Sequence, residues 1–116
     1  MRIIAGEFRG RKILPPQGDQ TRPVTDRVKQ SVFDVIAHLI EGSTVYDCFA
    51  GTGSFGLESL SRGAKHVTFF ESHRPTVRLL RQNIETLKVG QRSTVISTDI
   101  FESCSNPSEN PVDLIF

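Results

Sequence analysis

Gly51, Gly53 and Gly56 form a G-x-G-x-x-G between an apolar run that ends at Phe49 and a second one that begins at Phe55. Glycine is needed where a chain must turn tightly or bring its backbone close to a ligand. Twenty residues after Gly51, Glu71 ends the next apolar run, where a carboxylate can accept hydrogen bonds from ribose hydroxyls. Together these residues favour a nucleoside-containing ligand over a purely structural turn.

Asp47 separates two ligands of that kind. A dinucleotide rests its pyrophosphate on such a loop at the helix N-terminus. A carboxylate just ahead of the loop, as in Asp47-x-x-x-Gly51, would repel it. S-adenosylmethionine has no phosphate and carries a sulfonium and an ammonium, so the same carboxylate attracts it. Asp47 could also organise the loop through a hydrogen bond, and the two roles can coexist.

The elements that must position these residues follow from periodicity. Residues 2–14 read as a hairpin, with Phe8-Arg9-Gly10-Arg11 as its turn, followed by a loop through Pro15, Pro16, Gly18 and Asp19. From Thr25 the apolar residues Val28, Val32, Phe33, Val35, Ile36, Leu39 and Ile40 fall at helical steps. Thr25 or Asp26 would cap that helix and Gly42 would stop it. Strands are expected over Thr44–Phe49, His66–Glu71, Thr94–Thr98 and Val112–Phe116. Helices are expected over Phe55–Arg62, stopped by Gly63, and over Arg74–Val89, stopped by Gly90, with Val77, Leu80, Ile84 and Leu87 facing inward. Ser103–Pro111 reads as loop. Strands alternating with helices predict an α/β fold with an open, mostly parallel sheet and helices on both faces. Residues 1–24 would form a basic hairpin and loop, and residues 25–116 the ligand-binding domain.

At 116 residues the chain has room for one core. No apolar run reaches membrane-span length, the start lacks a signal peptide's apolar segment, and neither Cys48 nor Cys104 belongs to a CxxC pair. The expectation is a reduced, cytoplasmic protein that binds no metal and no membrane, with His38, His66 and His73 in bland roles. The net charge of +1 is unevenly spread: residues 1–30 hold seven basic side chains against three acidic ones, +4, which leaves −3 for the rest. A basic arm on a mildly acidic body fits nucleic acid at one end, or simply a solvated surface. Arg2, Arg9, Arg11 and Lys12 are the candidate phosphate contacts, on an arm expected to be separate from the glycine loop.

Asp47-Cys48-Phe49-Ala50-Gly51-Thr52-Gly53 resembles the D-x-F-A-G-[ST]-G form of the first methyltransferase motif. Phe70-Glu71 resembles the second, and Thr98-Asp99-Ile100 the third. Arg2-Ile3-Ile4-Ala5-Gly6, Arg9-Gly10-Arg11-Lys12 and Arg22-Pro23-Val24-Thr25-Asp26-Arg27-Val28-Lys29 are similar to the start of the bacterial guanine-N2 methyltransferases of small-subunit ribosomal RNA, the RsmD family. The resemblance runs along essentially the whole chain. It implies a Rossmann-like methyltransferase fold, S-adenosylmethionine as cofactor, and ribosomal RNA or the small ribosomal subunit as partner of a monomeric parent enzyme. It also implies cofactor contacts by Asp47, Phe49, Ala50, Gly51, Thr52 and Gly53, by Glu71 on the ribose with Ser72 beside it, and by Asp99 and Ile100 at the adenine. Thr25, Asp26 and Arg27 would contact the methionine end, although helix capping and a surface arginine account for them nearly as well. The family's catalytic [DN]-P-P-[FY] motif has no counterpart before Phe116. Asn106-Pro107 and Asn110-Pro111 lack its second proline and aromatic residue, so the motif is expected just after Phe116 and the chain reads as an N-terminal fragment. A nicotinamide-dependent oxidoreductase domain and a non-catalytic RNA- or nucleotide-binding module are the alternatives.

Overall fold

A computed structural model describes residues 1–15, 25–97 and 112–116. Three α-helices, α1 (Asp26–Ile40), α2 (Ser54–Ser61) and α3 (Arg74–Leu87), accompany four strands, β1 (Thr44–Asp47), β2 (His66–Phe70), β3 (Ser93–Ile96) and β4 (Leu114–Ile115). The sheet order is β3-β2-β1-β4, and every pair is parallel. The order reverses between β1 and β4, and such reversals open a crevice at the strands' carboxyl ends where ligands bind in open α/β sheets.

The expected elements are present, with shorter strands. Thr25 caps α1, accepting a hydrogen bond from Val28 N at 3.2 Å. Lys88, not Gly90, ends α3: it adopts the left-handed conformation at φ 57°, and Gly90–Arg92 forms a 3-10 turn into β3. Residues 1–15 form a hairpin-like arm with one antiparallel bridge, Arg2–Lys12, in place of regular strands. Its Ile3 and Ile13 are buried in the same core as Phe33, Val45, Leu57, Val67, Phe69 and Leu80.

Helices on both faces of the sheet are not found among the described residues. Val45, Val67 and Phe69 are fully buried toward the helices, while Thr44, Tyr46, His66 and Thr68 on the opposite face are half-buried. Right-handed crossovers from β1 to β2 and from β2 to β3 step in one direction, which puts α2 and α3 on the same side. α1 joins them there: Phe33 stacks on Phe55 of α2 at 6.1 Å, and the Arg62 guanidinium lies 4.7 Å from the Phe33 ring centroid. The apolar face read for α1 is only partly used. Phe33 and Ile40 are buried, but Val28, Val35 and Leu39 are 52%, 73% and 48% exposed.

A charged cluster is buried where α1, α2 and the arm meet. Glu58 is fully buried, and its Oε1 accepts from Ile4 N at 2.9 Å and lies 3.2 Å from Lys29 Nζ. Its Oε2 accepts from Ala5 N at 3.1 Å and from Arg62 Nε at 2.9 Å. Lys29 is itself 1% exposed and donates to Arg2 O. Counted by sequence with the basic arm, Lys29 is instead an internal cation holding that arm in place.

Candidate cofactor site

The glycine loop lies at the carboxyl end of β1, and each of its glycines answers a different demand. Gly51 has φ 57°, and a side chain added there would meet nothing within 4 Å, so its surface is open to a ligand. Gly53 has φ 97°, and an added Cβ would come within 2.6 Å of Leu80 Cδ1 on α3. Gly56 has an ordinary helical backbone but sits against the sheet: a Cβ would fall 2.2 Å from Phe69 Cε1. Turn, close approach and helix–strand packing are the three uses such a motif makes of glycine.

Two carboxylates brace the loop. Asp47, at the end of β1, is 3% exposed, and its Oδ2 accepts from Gly56 N at 3.1 Å. Burial, countered by that hydrogen bond and reinforced by the nearby charge of Glu71, pushes its carboxyl up to about 7. The loop-organising role is therefore present, and the charge that would attract a cation is only partly developed at neutral pH in the ligand-free chain. Glu71 Oε1 accepts from Gly51 N at 2.9 Å, and Oε2 from His73 N at 3.0 Å. A carboxylate offers about four acceptor positions, so each oxygen of Glu71 keeps one for a ligand. Glu71 thus closes the loop whose ligand it was expected only to bind.

Of the other sequence candidates, Ala50 and Thr52 are buried within the loop, while Phe49 is 75% exposed at its rim and Ser72 is exposed after β2. Thr25 and Arg27 lie at the start of α1, both exposed. Asp99 and Ile100 fall outside the described residues, as do Asn106-Pro107 and Asn110-Pro111. The carboxyl end of β4 lies beside the site: Phe116 N donates to Tyr46 O, and Cys48 N donates to Phe116 O. Ser54 Oγ, one residue past Gly53, is buried without a hydrogen-bond partner among the described residues.

Asn83 is a site-building residue that sequence reasoning missed. It is 1% exposed on α3; its Nδ2 donates to Thr52 O at 2.9 Å and to Leu14 O at 3.1 Å, and its Oδ1 accepts from Leu14 N at 2.7 Å. The arm is therefore not separate from the glycine loop, because one side chain ties both to α3. A polar residue between the inward Leu80 and Ile84 was the only available signal. The candidate phosphate contacts are all exposed: Arg2 pairs with Asp26 at 2.8 Å, Arg11 Nη2 donates to Thr86 O at 3.0 Å, and Arg9 and Lys12 make no ion pair among the described residues.

No helix among the described residues is long and apolar enough to cross a membrane. The described residues contain no group of three or more His, Cys, Asp or Glu that could hold a metal ion.

A family model described as Conserved hypothetical protein 95 matches residues 1–116. The chain is 43% identical over 97 residues to "Ribosomal RNA small subunit methyltransferase D" of Escherichia coli (strain K12), covering 84% of this chain and 49% of that protein. It is 39% identical over 118 residues to the protein of that name from Haemophilus influenzae, covering 100% of this chain and 61% of the relative. Among solved structures it is similar to "Putative methyltransferase yhhF" from Escherichia coli, with a TM-score of 0.89 and 36% identity over 100% of this chain and 62% of that one. The chain thus spans about half to three-fifths of the length of these proteins.

Proposed function

The chain belongs to the family described as Conserved hypothetical protein 95, and from that premise we propose that it is the cofactor-binding part of a methyltransferase that moves a methyl group from S-adenosylmethionine to the N2 of a guanine in small-subunit ribosomal RNA. The observation that carries this reading is the open backbone of Gly51 at the β1–β4 reversal, flanked by Asp47 and Glu71. The names of the relatives support methyl transfer to ribosomal RNA, and nothing in them supports an oxidoreductase.

In this reading the backbone of Gly51 and Gly53 lies against the cofactor, with Phe49, Ala50, Thr52 and Ser72 around it. Glu71 uses its remaining acceptor positions on the ribose hydroxyls. Asp47 faces the cationic methionine end, and Thr25 and Arg27 close over that end from α1. Asp99 and Ile100 meet the adenine. When bound, S-adenosylmethionine supplies an electrophilic methyl on sulfonium. The guanine amine is a poor nucleophile because its lone pair is delocalised, so the gain must come from acceptors that localise and aim it. A segment continuing from Phe116 would emerge beside Cys48 and Asp47, where a [DN]-P-P-[FY] motif could supply those acceptors to an unstacked base. Arg2, Arg9, Arg11 and Lys12 position the RNA through its phosphates.

Titration calorimetry with S-adenosylmethionine, its homocysteine product and NAD tests the ligand choice. The first two are expected to bind more tightly than NAD. Tighter binding of NAD would overturn the methyltransferase reading, because Asp47 should penalise a pyrophosphate.

A further inference from the structure

Residues 1–30 carry a net charge of +4, and the structure places a second group of cations beside the arm. α3 carries Arg74, Arg78 and Arg81, and Lys88 follows at its C-cap; all four are exposed. Steps of four and three residues put the three arginines in one stripe along the helix, and Lys88 stands at the end of it. Glu85 is the only acid in α3. None of the four cations makes an ion pair among the described residues, where the ion pairs are Arg2–Asp26, Lys29–Glu58, Arg62–Glu58 and Arg92–Glu7.

The stripe is also placed against local preference. Arg74 is the first residue of α3, whose first turn holds no acid and whose N-cap His73 makes no capping hydrogen bond. A cation there opposes the helix dipole, so Arg74 does not serve the stability of the helix. A local rule broken without a structural gain is most often found at a functional surface.

The arm joins this stripe. Arg11 donates to Thr86 O on α3, and a groove lined by Lys12, Leu14, Gln82, Glu85 and Thr86 separates the arm from the helix. A second groove, lined by Arg81, Glu85, Lys88, Ser93 and Val95, lies between α3 and β3. Glu85 borders both, so the exposed face of α3 runs from the arm's cations on one flank to its own arginines on the other. We infer that Arg74, Arg78, Arg81 and Lys88 of α3, together with Arg11 and Lys12 of the arm, form one continuous phosphate-binding surface for the RNA substrate. The occupant is the RNA backbone, because unpaired cations in a row match its repeating negative charge and release its condensed counterions on contact. This rests on the RNA-methyltransferase reading above. It moves most of the expected contact from the arm to a helix in which sequence analysis saw only an amphipathic core element.

The test is binding of a short fluorescein-labelled RNA stem-loop at several salt concentrations, with wild type beside the triple variant Arg74→Gln, Arg78→Gln, Arg81→Gln. Glutamine keeps helix propensity close to that of arginine, and circular dichroism checks that α3 is intact. The wild type should show a steep fall of log affinity with log salt, and the variant a slope shallower by roughly two, at ~0.7–0.9 per phosphate contact. A steep wild-type slope shared by the variant would overturn the α3 surface and leave the RNA reading standing. Wild-type binding without salt dependence, or no binding, would overturn the RNA reading and the α3 surface with it.

Discussion

Asp47→Asn is expected to make the chain more stable at about pH 8 and worse at binding its cofactor. The folded-state pKa of Asp47 is raised from 3.8 to about 7, chiefly by burial. A carboxyl raised in the folded state contributes stability that is fully present below its unfolded pKa and lost as pH rises through the folded one. Above about pH 7 the wild type therefore carries a buried charge that Asn lacks, while the amide oxygen can still accept from Gly56 N. At about 1.36 kcal/mol per pKa unit, the variant's advantage should grow by as much as ~4 kcal/mol between about pH 4 and pH 8. A cationic ligand favours the ionised form, so the variant should lose roughly tenfold or more in S-adenosylmethionine affinity, the scale of one hydrogen bond to a charged group. Urea denaturation across that pH range and calorimetry at about pH 7.5 check both halves. A stability difference between variant and wild type that stays constant across that pH range would show that Asp47 is not a strained charge. Unchanged affinity would confine it to bracing the loop.

Glu58→Ala should cause the largest loss of stability of any single substitution considered. Four donors converge on this one carboxylate: the amides of Ile4 and Ala5, Lys29 Nζ and Arg62 Nε. Removing it leaves the Lys29 ammonium buried with only Arg2 O as a partner among the described residues. Breaking a buried pair from one side costs about 3–5 kcal/mol. The arm should loosen first, because Ile4 and Ala5 lose their anchors while Asn83 still holds Leu14. Hydrogen exchange at Ile4 and Ala5 should accelerate more than exchange in β1 or β2. A loss below about 1 kcal/mol, or unchanged exchange at those two amides, would mean that the core holds the arm without this cluster.

The difference between what was legible in the sequence and what was not is one of range. The glycine loop, Asp47 and Glu71 could be read because strand, turn and helix signals are local, and each glycine reports a backbone need at its own position. Thr25 as a cap is equally local. Lys29, Glu58 and Asn83 were not legible: apart from Arg62, one turn after Glu58, their partners lie 27 to 69 residues away, and a lone lysine, glutamate or asparagine in a helix reads as surface. The one-sided use of α1 was hidden for the same reason. Val28, Val35 and Leu39 share an apolar period with Phe33 and Ile40, and only the packing of α1 against the rest of the core decides which of them is covered.

Methylation of a guanine N2 in small-subunit ribosomal RNA by the protein that carries this chain is tested most directly by mass spectrometry of nucleosides from that RNA, isolated from cells with and without the gene. Loss of the gene should lower the content of N2-methylguanosine, and restoring it should bring the content back. The Glu71→Ala form, lacking the carboxylate that closes Gly51 and that is proposed to hold the ribose, should restore it poorly. N2-methylguanosine content unchanged by deletion would contradict the account.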